Sequence, residues 1–171
     1  MRMIHQLTTL AAALVAVTAC TKTDSDRGIG QWFFTVDTVR SDIDDSVRYQ
    51  VVLQLFGREG PEGLQRDQVV RLRTNCDGSV ILTDHQLEQG SYTLRIRLDS
   101  FPAYTIEGFG GSPTGMGMIM IRPLNPFLDS LRGNSRALIE YSVGASRIVA
   151  EFAIAGLDTL IPRFLAACAV R

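Results

Sequence analysis

The chain has 171 residues, of which 46% are hydrophobic, enough for one globular domain with its own core. Its 17 basic and 18 acidic residues nearly cancel. The basic residues, nearly all Arg, are scattered and form no stripe, so we expect no nucleic-acid partner.

Residues 1–19 predict a bacterial lipoprotein signal peptide. Arg2 precedes the apolar run LTTLAAALVAV, and VTAC closes it at Cys20. This run is shorter than the ~20 apolar residues of a membrane-spanning helix, and its position is typical of a cleaved export signal. VTAC resembles the lipobox, which implies cleavage before Cys20 and lipidation of its thiol with acyl chains such as palmitate. An ordinary secreted protein is the alternative.

Residue Thr21 stands where an Asp would favour the inner membrane under the sorting rule for such lipoproteins. We therefore expect the protein at the periplasmic face of the outer membrane, held by its lipid anchor. Residues 20–30 are polar and predict a flexible tether. Residues 31–171 then form a single β-rich domain.

Strands are predicted where β-branched and aromatic residues are dense or alternate with polar ones. These segments are QWFFTV, RYQVVLQLF, DQVVRLR, SVILT, SYTLRIRLD, AYTIEG, MIMIR, RALIEYSV and RIVAEFAIA. The turn NCDG places Cys76 at the tip of a hairpin. The glycine-rich FGGSPTGMG lacks the spacing of a phosphate-binding loop and is interpreted as a mobile hairpin connection.

Two helices are predicted near the C-terminal end. In LNPFLDSLRGN, Asn125 is the expected N-cap, Pro126 the first helical residue and Gly133 the residue past the end. In GLDTLIPRFLAACAVR, apolar residues recur at helical spacing as far as Cys168, and Asp158 is suited to the first turn. We expect a mainly β fold: an antiparallel β-sandwich-like domain with a short helix and a C-terminal helix.

Cys76 and Cys168 are the two cysteines left beyond Cys20. An exported protein meets an oxidising compartment, so a disulfide between them is the simplest interpretation, and two buried free thiols are the alternative. A loop of roughly 90 residues closed in this way restrains the unfolded chain by ~4–5 kcal/mol on the entropic model.

Catalytic and metal-binding patterns are sparse. His85 is the one histidine beyond the predicted signal peptide, and TDHQ is interpreted as an exposed loop. Catalysis through a histidine base needs a nucleophile held against it, and zinc needs three or four nitrogen or sulfur ligands. We expect no enzyme activity, no cofactor and no metal centre.

SDIDDS contains the densest acidic cluster: Asp42, Asp44, Asp45 and Ser46. Asp and Ser commonly build turns between strands, so a turn is the first interpretation. A recognition surface or a Ca²⁺ site with oxygen ligands is the alternative. Pairing of these carboxylates with Arg73, Arg95 or Arg97 on the strands is a further hypothesis.

Several motifs follow one another in an order that resembles a known family. Trp32, SDIDDS, VRLRTNC ending at Cys76, RLDSFPA, PFLDSLRG and FAIAGL leading to Cys168 succeed one another over about 140 residues. This order is similar to that of the VasI/TagO family, accessory proteins of the type VI secretion system in the bacterial envelope. The resemblance implies a noncatalytic protein that docks to another envelope component.

The predicted function is that of a lipid-anchored, noncatalytic interaction or accessory module, linked to type VI secretion and bound to the membrane and to an envelope protein partner. The alternative is a periplasmic lipoprotein that binds a small molecule, a glycan or Ca²⁺.

Overall fold

A computed structural model describes residues 30–40, 47–113 and 115–169. The predicted signal peptide and most of the tether lie outside these ranges. The helices and strands are, in chain order, β1 (Trp32–Arg40), β2 (Val47–Pro61), β3 (Gln68–Asn75), β4 (Gly78–Thr83), β5 (Gly90–Leu98), β6 (Tyr104–Gly111), β7 (Gly117–Ile121), α1 (Leu124–Leu131), β8 (Arg136–Val143), β9 (Ser146–Ala153) and α2 (Leu157–Ala169).

Eight of the strands close into an antiparallel β-barrel. Their order around the barrel is β2-β3-β4-β7-β6-β5-β8-β9, and β9 returns to pair with β2. Closure depends on β2, because one edge of this strand is shared by two partners: Val47–Leu55 pairs with β1, and Arg58–Pro61 pairs with β9.

The predicted β-sandwich is therefore wrong, since the sheet closes on itself instead of dividing into two layers. Alternation of apolar and polar residues indicates that each strand has one buried face. Strands of a sandwich and strands of a barrel both have one buried face, so the alternation does not distinguish the two folds. The pairing of β2 with β9 distinguishes them, and no local pattern in the sequence encodes that pairing.

The barrel interior is filled by side chains. One row of residues that pair directly across the strands runs through Leu55, Leu72, Ile81, Ile119 and Gly110, all of them buried. Residues one position before or after these point outward, as the two-residue period of a strand requires. This period fixes which side chains reach the barrel's outer surface.

α1 begins two residues earlier than predicted. It starts at Leu124 with Pro123 at the N-cap position and no side-chain cap, so the assignment of Asn125 as N-cap is wrong. Gly133 follows the helix with φ +70°, a left-handed conformation that glycine adopts readily and that commonly ends helices.

α2 packs against β1 and β2 through three fully buried side chains, Leu157, Ile161 and Phe164. Its residue Cys168 is bonded to Cys76, which lies in the turn between β3 and β4, with the two Cα atoms 5.5 Å apart. The structure thus contains the disulfide predicted from the sequence, and this bond fastens α2 to one end of the barrel. No helix within the described ranges is long and apolar enough to span a bilayer.

Candidate functional site

The outer surface of β4, β6 and β7 carries a contiguous set of apolar side chains. Leu82 pairs directly with Met118, Val80 pairs with Met120, and Met120 pairs with Phe109. Directly paired residues of antiparallel strands project from the same face of the sheet. These five side chains therefore lie next to one another, and we call them the apolar wall.

The apolar wall is open to solvent. Phe109 is 55% exposed, and the other four residues are partly buried. A groove of about 510 Å³ runs between the wall residues Phe109, Met118 and Met120 and the loop residues Leu87 and Ser112. We call it the wall groove.

Strand β3 adds positive charge beside the wall. Arg71 pairs with Leu82 and Arg73 pairs with Val80, so both arginines share the outward face. The sequences of β3, β4 and β7 contain no Asp or Glu. Arg73, a residue singled out from the sequence for recognition, thus borders the part of the apolar wall on β4 and β7, two strands without acidic residues. On β6, the exposed Glu107 lies on the same face as Phe109.

The outer surface of β8 and β9 is different, because its charges pair with one another. Glu151 accepts from Arg66 at 2.7 Å and from Arg136 at 2.6 Å. The hydrogen bond from Arg136 is the main reason that the pKa of Glu151 lies below its usual range. Glu140 lies 3.8 Å from Arg95. These charges are largely satisfied within the chain, whereas the apolar wall presents its surface to solvent.

A buried carboxylate lies inside the barrel near the wall groove. The inward positions of β2 run through Leu55 and Gly57 to Glu59, which has no exposed surface. The Thr83 hydroxyl donates to Oε1 of Glu59, and the Tyr141 hydroxyl donates to Oε2. We call these residues and the neighbouring His85 the Glu59 cluster.

Burial raises the pKa of the Glu59 carboxyl group above its ordinary value, although the hydrogen bonds from Thr83 and Tyr141 oppose the shift. Burial also raises the pKa of the Tyr141 hydroxyl, and the negative charge of Glu59 adds to that rise. Both groups therefore hold their protons more tightly than they would in water.

His85 is closer to this carboxylate than the sequence suggested. Its Nε2 lies 3.9 Å from Oε1 of Glu59, beyond hydrogen-bond distance, and it has no hydrogen-bond partner among the described residues. The His85 side chain is only 22% exposed, although its neighbours Asp84 and Gln86 are exposed, as expected for this loop. A positive charge on His85 favours the ionised form of Glu59, and the negative charge of Asp84 opposes it.

The loop between β4 and β5, residues 84–89, connects the Glu59 cluster to the wall groove. Its His85 N–H donates to the Thr83 hydroxyl at 3.1 Å, and its Leu87 N–H donates to the Ser112 hydroxyl at 2.7 Å. Gly117 lies beneath the loop, where an added Cβ would overlap the carbonyl oxygen of His85. The loop is therefore held at both ends by hydrogen bonds and from below by close packing.

Most of the other residues singled out from the sequence lie outside the described ranges: Cys20, Asp42, Asp44, Asp45 and Ser46. The structure accordingly leaves lipidation and the acidic cluster as predictions. In the part of the chain that it does describe, no three His, Cys, Asp or Glu side chains are grouped to hold a metal ion.

Sequence reasoning missed Glu59 and Tyr141 as partners. A usable signal was present in β2, because Leu55, Gly57 and Glu59 continue its inward alternation past the predicted end of the strand at Phe56. The segment REGPEG was instead given no strand, since glycine and proline are typical of turns.

Comparison with known proteins gives no relative: no protein-family model, no curated protein and no solved structure matches the chain. The resemblance to the VasI/TagO family stays a prediction from motif order.

Proposed function

We propose that this protein is a lipid-anchored envelope protein that acts without catalysis, by binding another envelope protein, and that the apolar wall is its docking surface. The observation that carries the proposal is the apolar wall itself, with Phe109 at 55% exposure beside four outward apolar neighbours. Contiguous apolar surface rimmed by polar residues is typical of interaction sites.

The chemistry of the wall indicates what the partner presents. Met118 and Met120 are flexible, polarisable side chains that adapt to varied apolar surfaces. Arg71 and Arg73 stand beside them on strands without carboxylates. A partner segment with apolar residues in contact with the wall and carboxylates over the arginines complements this surface.

The predicted anchor restricts where the partner lies. Gly30, where the described structure begins, lies ten positions after Cys20. A chain of that length spans at most about 36 Å and about 17 Å on average if flexible. We therefore place the barrel close to the periplasmic face of the outer membrane, with a partner in the envelope.

Site-specific photocrosslinking in cells tests the docking surface. A benzophenone amino acid replaces Phe109 in one variant and Phe101 in the control, because both phenylalanines are well exposed, at 55% and 62%. We expect a discrete adduct with an envelope protein from position 109 and none from position 101. Equal adducts from both positions would contradict the proposal, as would a position-109 adduct whose mass is that of a phospholipid.

A matched pair of substitutions then tests the charge argument. Met120→Glu puts a carboxylate on the wall, whereas Met120→Arg adds a further positive charge at the same outward position. If the partner is acidic, Met120→Glu should reduce the position-109 adduct more than Met120→Arg does. The reverse order would show that the partner is not acidic.

The anchor is tested separately. Mass spectrometry of the native protein should find a chain that begins at an acylated Cys20, and Cys20→Ala should move the protein from the membrane to the soluble fraction. The proposed link to type VI secretion, which the motif order suggests, requires that deleting the gene lowers secretion by that system. Normal secretion in the deletion strain would remove this link and leave the docking proposal in place.

A further inference from the structure

The loop of residues 84–89 contributes His85 to the Glu59 cluster and Leu87 to the wall groove. We propose that gain and loss of a proton at Glu59 changes the position of this loop, and with it the shape of the wall groove, so that the acidity of the compartment regulates docking. This inference rests on the proposed function, because it concerns the same docking surface.

The hydrogen bonds around Glu59 depend on its protonation state. An ionised carboxylate only accepts hydrogen bonds, and both the Thr83 and the Tyr141 hydroxyls donate to it in the structure. A protonated carboxyl group carries a donor as well as acceptors, so its O–H needs an acceptor, which either hydroxyl can provide by reversing its hydrogen bond. Protonation of Glu59 therefore changes the hydrogen bonding within the cluster even if no atom leaves the interior.

The surroundings make ionisation costly. Glu59 has no exposed surface, and a buried charge without a partner is strongly disfavoured. The titratable groups that face it are Tyr141 from β8 and His85 and Asp84 from the loop. Of these, His85 is the one that can supply positive charge, and its Nε2 would have to move closer than 3.9 Å to donate a hydrogen bond.

Such a movement is transmitted to the groove through contacts in the described structure. The Thr83 hydroxyl that bonds Glu59 also accepts from the backbone of His85. Two residues further along, Leu87 lines the wall groove and bonds Ser112 on its other side. Gly117 prevents the loop from moving inward freely, since the carbonyl of His85 already contacts it. A shift of His85 therefore displaces Leu87 along the groove.

The methionines of the chain make this testable without a partner. Two of the five methionines, Met118 and Met120, lie on the apolar wall, and Met116 comes directly before β7. The other two, Met1 and Met3, fall in the predicted signal peptide. Full-length protein is labelled with ¹³C-methyl methionine and purified from membranes in detergent. NMR spectra are then recorded from about pH 4 to 9, because the pKa of a buried carboxyl group can be raised as far as about 8–9.

We expect the methyl signals of Met118 and Met120 to shift with pH at a common midpoint, and Glu59→Gln to abolish the shift. His85→Asn should move the midpoint to higher pH, because it removes a charge that favours ionised Glu59. The control Glu107→Gln, an exposed carboxylate on β6, should leave the titration unchanged. Signals that do not titrate, or that still titrate in Glu59→Gln, would overturn the proposal.

Should Glu59→Gln fail to fold, His85→Asn decides between the two groups. An upward shift of the midpoint supports control by Glu59, and loss of the titration assigns it to His85 instead.

Binding of an apolar dye, 1-anilinonaphthalene-8-sulfonate, gives a second measure. Its affinity should change ~5-fold or more across the midpoint, the lower end of typical couplings between protein sites, and stay constant in Glu59→Gln. Failure of the crosslinking experiment would leave these dye and NMR results unaffected, so the two proposals fail separately.

Discussion

The Tyr141 hydroxyl donates a hydrogen bond to the Glu59 carboxylate inside the barrel, across 82 residues of sequence. The contact joins β8 to the far end of β2, the strand whose pairing with β9 closes the barrel. Stability, proton binding and barrel closure are therefore coupled at one buried position.

Removing the Tyr141 hydroxyl should destabilise the fold measurably. Tyr141→Phe keeps the ring but leaves Oε2 of Glu59 without its donor, and an unsatisfied buried acceptor costs about 1–3 kcal/mol. Urea unfolding at neutral pH measures the change in the free energy of unfolding. Tyr104→Phe is the control, since its hydroxyl pairs with Ser130 in a partly buried position. Equal losses in the two variants would contradict a special role for Glu59.

The stability of the wild-type protein relative to Glu59→Gln should fall as pH rises. The folded state raises the pKa of Glu59 above its ordinary value of 4.5, so it binds this proton more tightly than the unfolded chain does. The resulting stabilisation is complete below the unfolded pKa and is lost as pH rises through the folded pKa. Glutamine does not titrate and mimics the neutral acid. Urea unfolding of both proteins at a series of pH values measures the difference, and a constant difference would exclude the raised pKa.

Gly117 should not tolerate a side chain. An added Cβ would overlap the His85 carbonyl and lie 2.8 Å from Thr83 Cγ2 and 2.9 Å from Leu87 Cγ. Gly117→Ala should therefore cost about 1–3 kcal/mol, as overpacking of an interior typically does. Gly90→Ala is the matched control, because nothing lies within 4 Å of its added Cβ; we expect a change within about 0.5 kcal/mol. Similar unfolding midpoints for the two variants would contradict the close packing of the loop.

Loss of the disulfide should lower stability substantially. Cys76 and Cys168 are 92 residues apart, and a closed loop of that length stabilises the folded state by about 4–5 kcal/mol on the entropic model. Guanidinium unfolding of Cys76→Ala/Cys168→Ala should show this loss. Wild-type protein reduced with dithiothreitol should unfold at the same denaturant concentration as the double variant. A reduced protein as stable as the oxidised one would show that the bond contributes little.

Much of the local structure was predictable because apolar and polar residues alternate along a strand that has one buried face. The hairpin around Cys76 and the alternation of Leu94 and Ile96 with outward arginines agree with the structure. The predictions failed where turn-forming residues lie inside regular structure. Gly57, Glu59 and Gly60 belong to β2, beyond the predicted end of this strand at Phe56.

Only part of the apolar wall and its neighbouring arginines could be predicted from the sequence. Arg73 was singled out for pairing with the acidic cluster, which lies outside the described residues, and this pairing stays a prediction. Its strand neighbours on the barrel are Gln54 and Val80. Val80, Met118 and Met120 lie in continuous apolar runs, so the sequence indicated neither which residues of these strands face outward nor that the three are adjacent. β4 pairs with β7 rather than with β5, and this order brings the apolar residues together.

The sequence by itself determined where most of the strands lie, which side chains turn inward where apolar and polar residues alternate, and which two cysteines are available to bond. These features depend on steric preferences and hydrophobic periodicity within a few residues. Only the tertiary structure decided that the sheet closes into a barrel, that Glu59 meets Tyr141 and His85, and that the apolar residues of three strands form one surface. Contacts between residues far apart in sequence depend on the balance of packing over the whole chain, which no local pattern records.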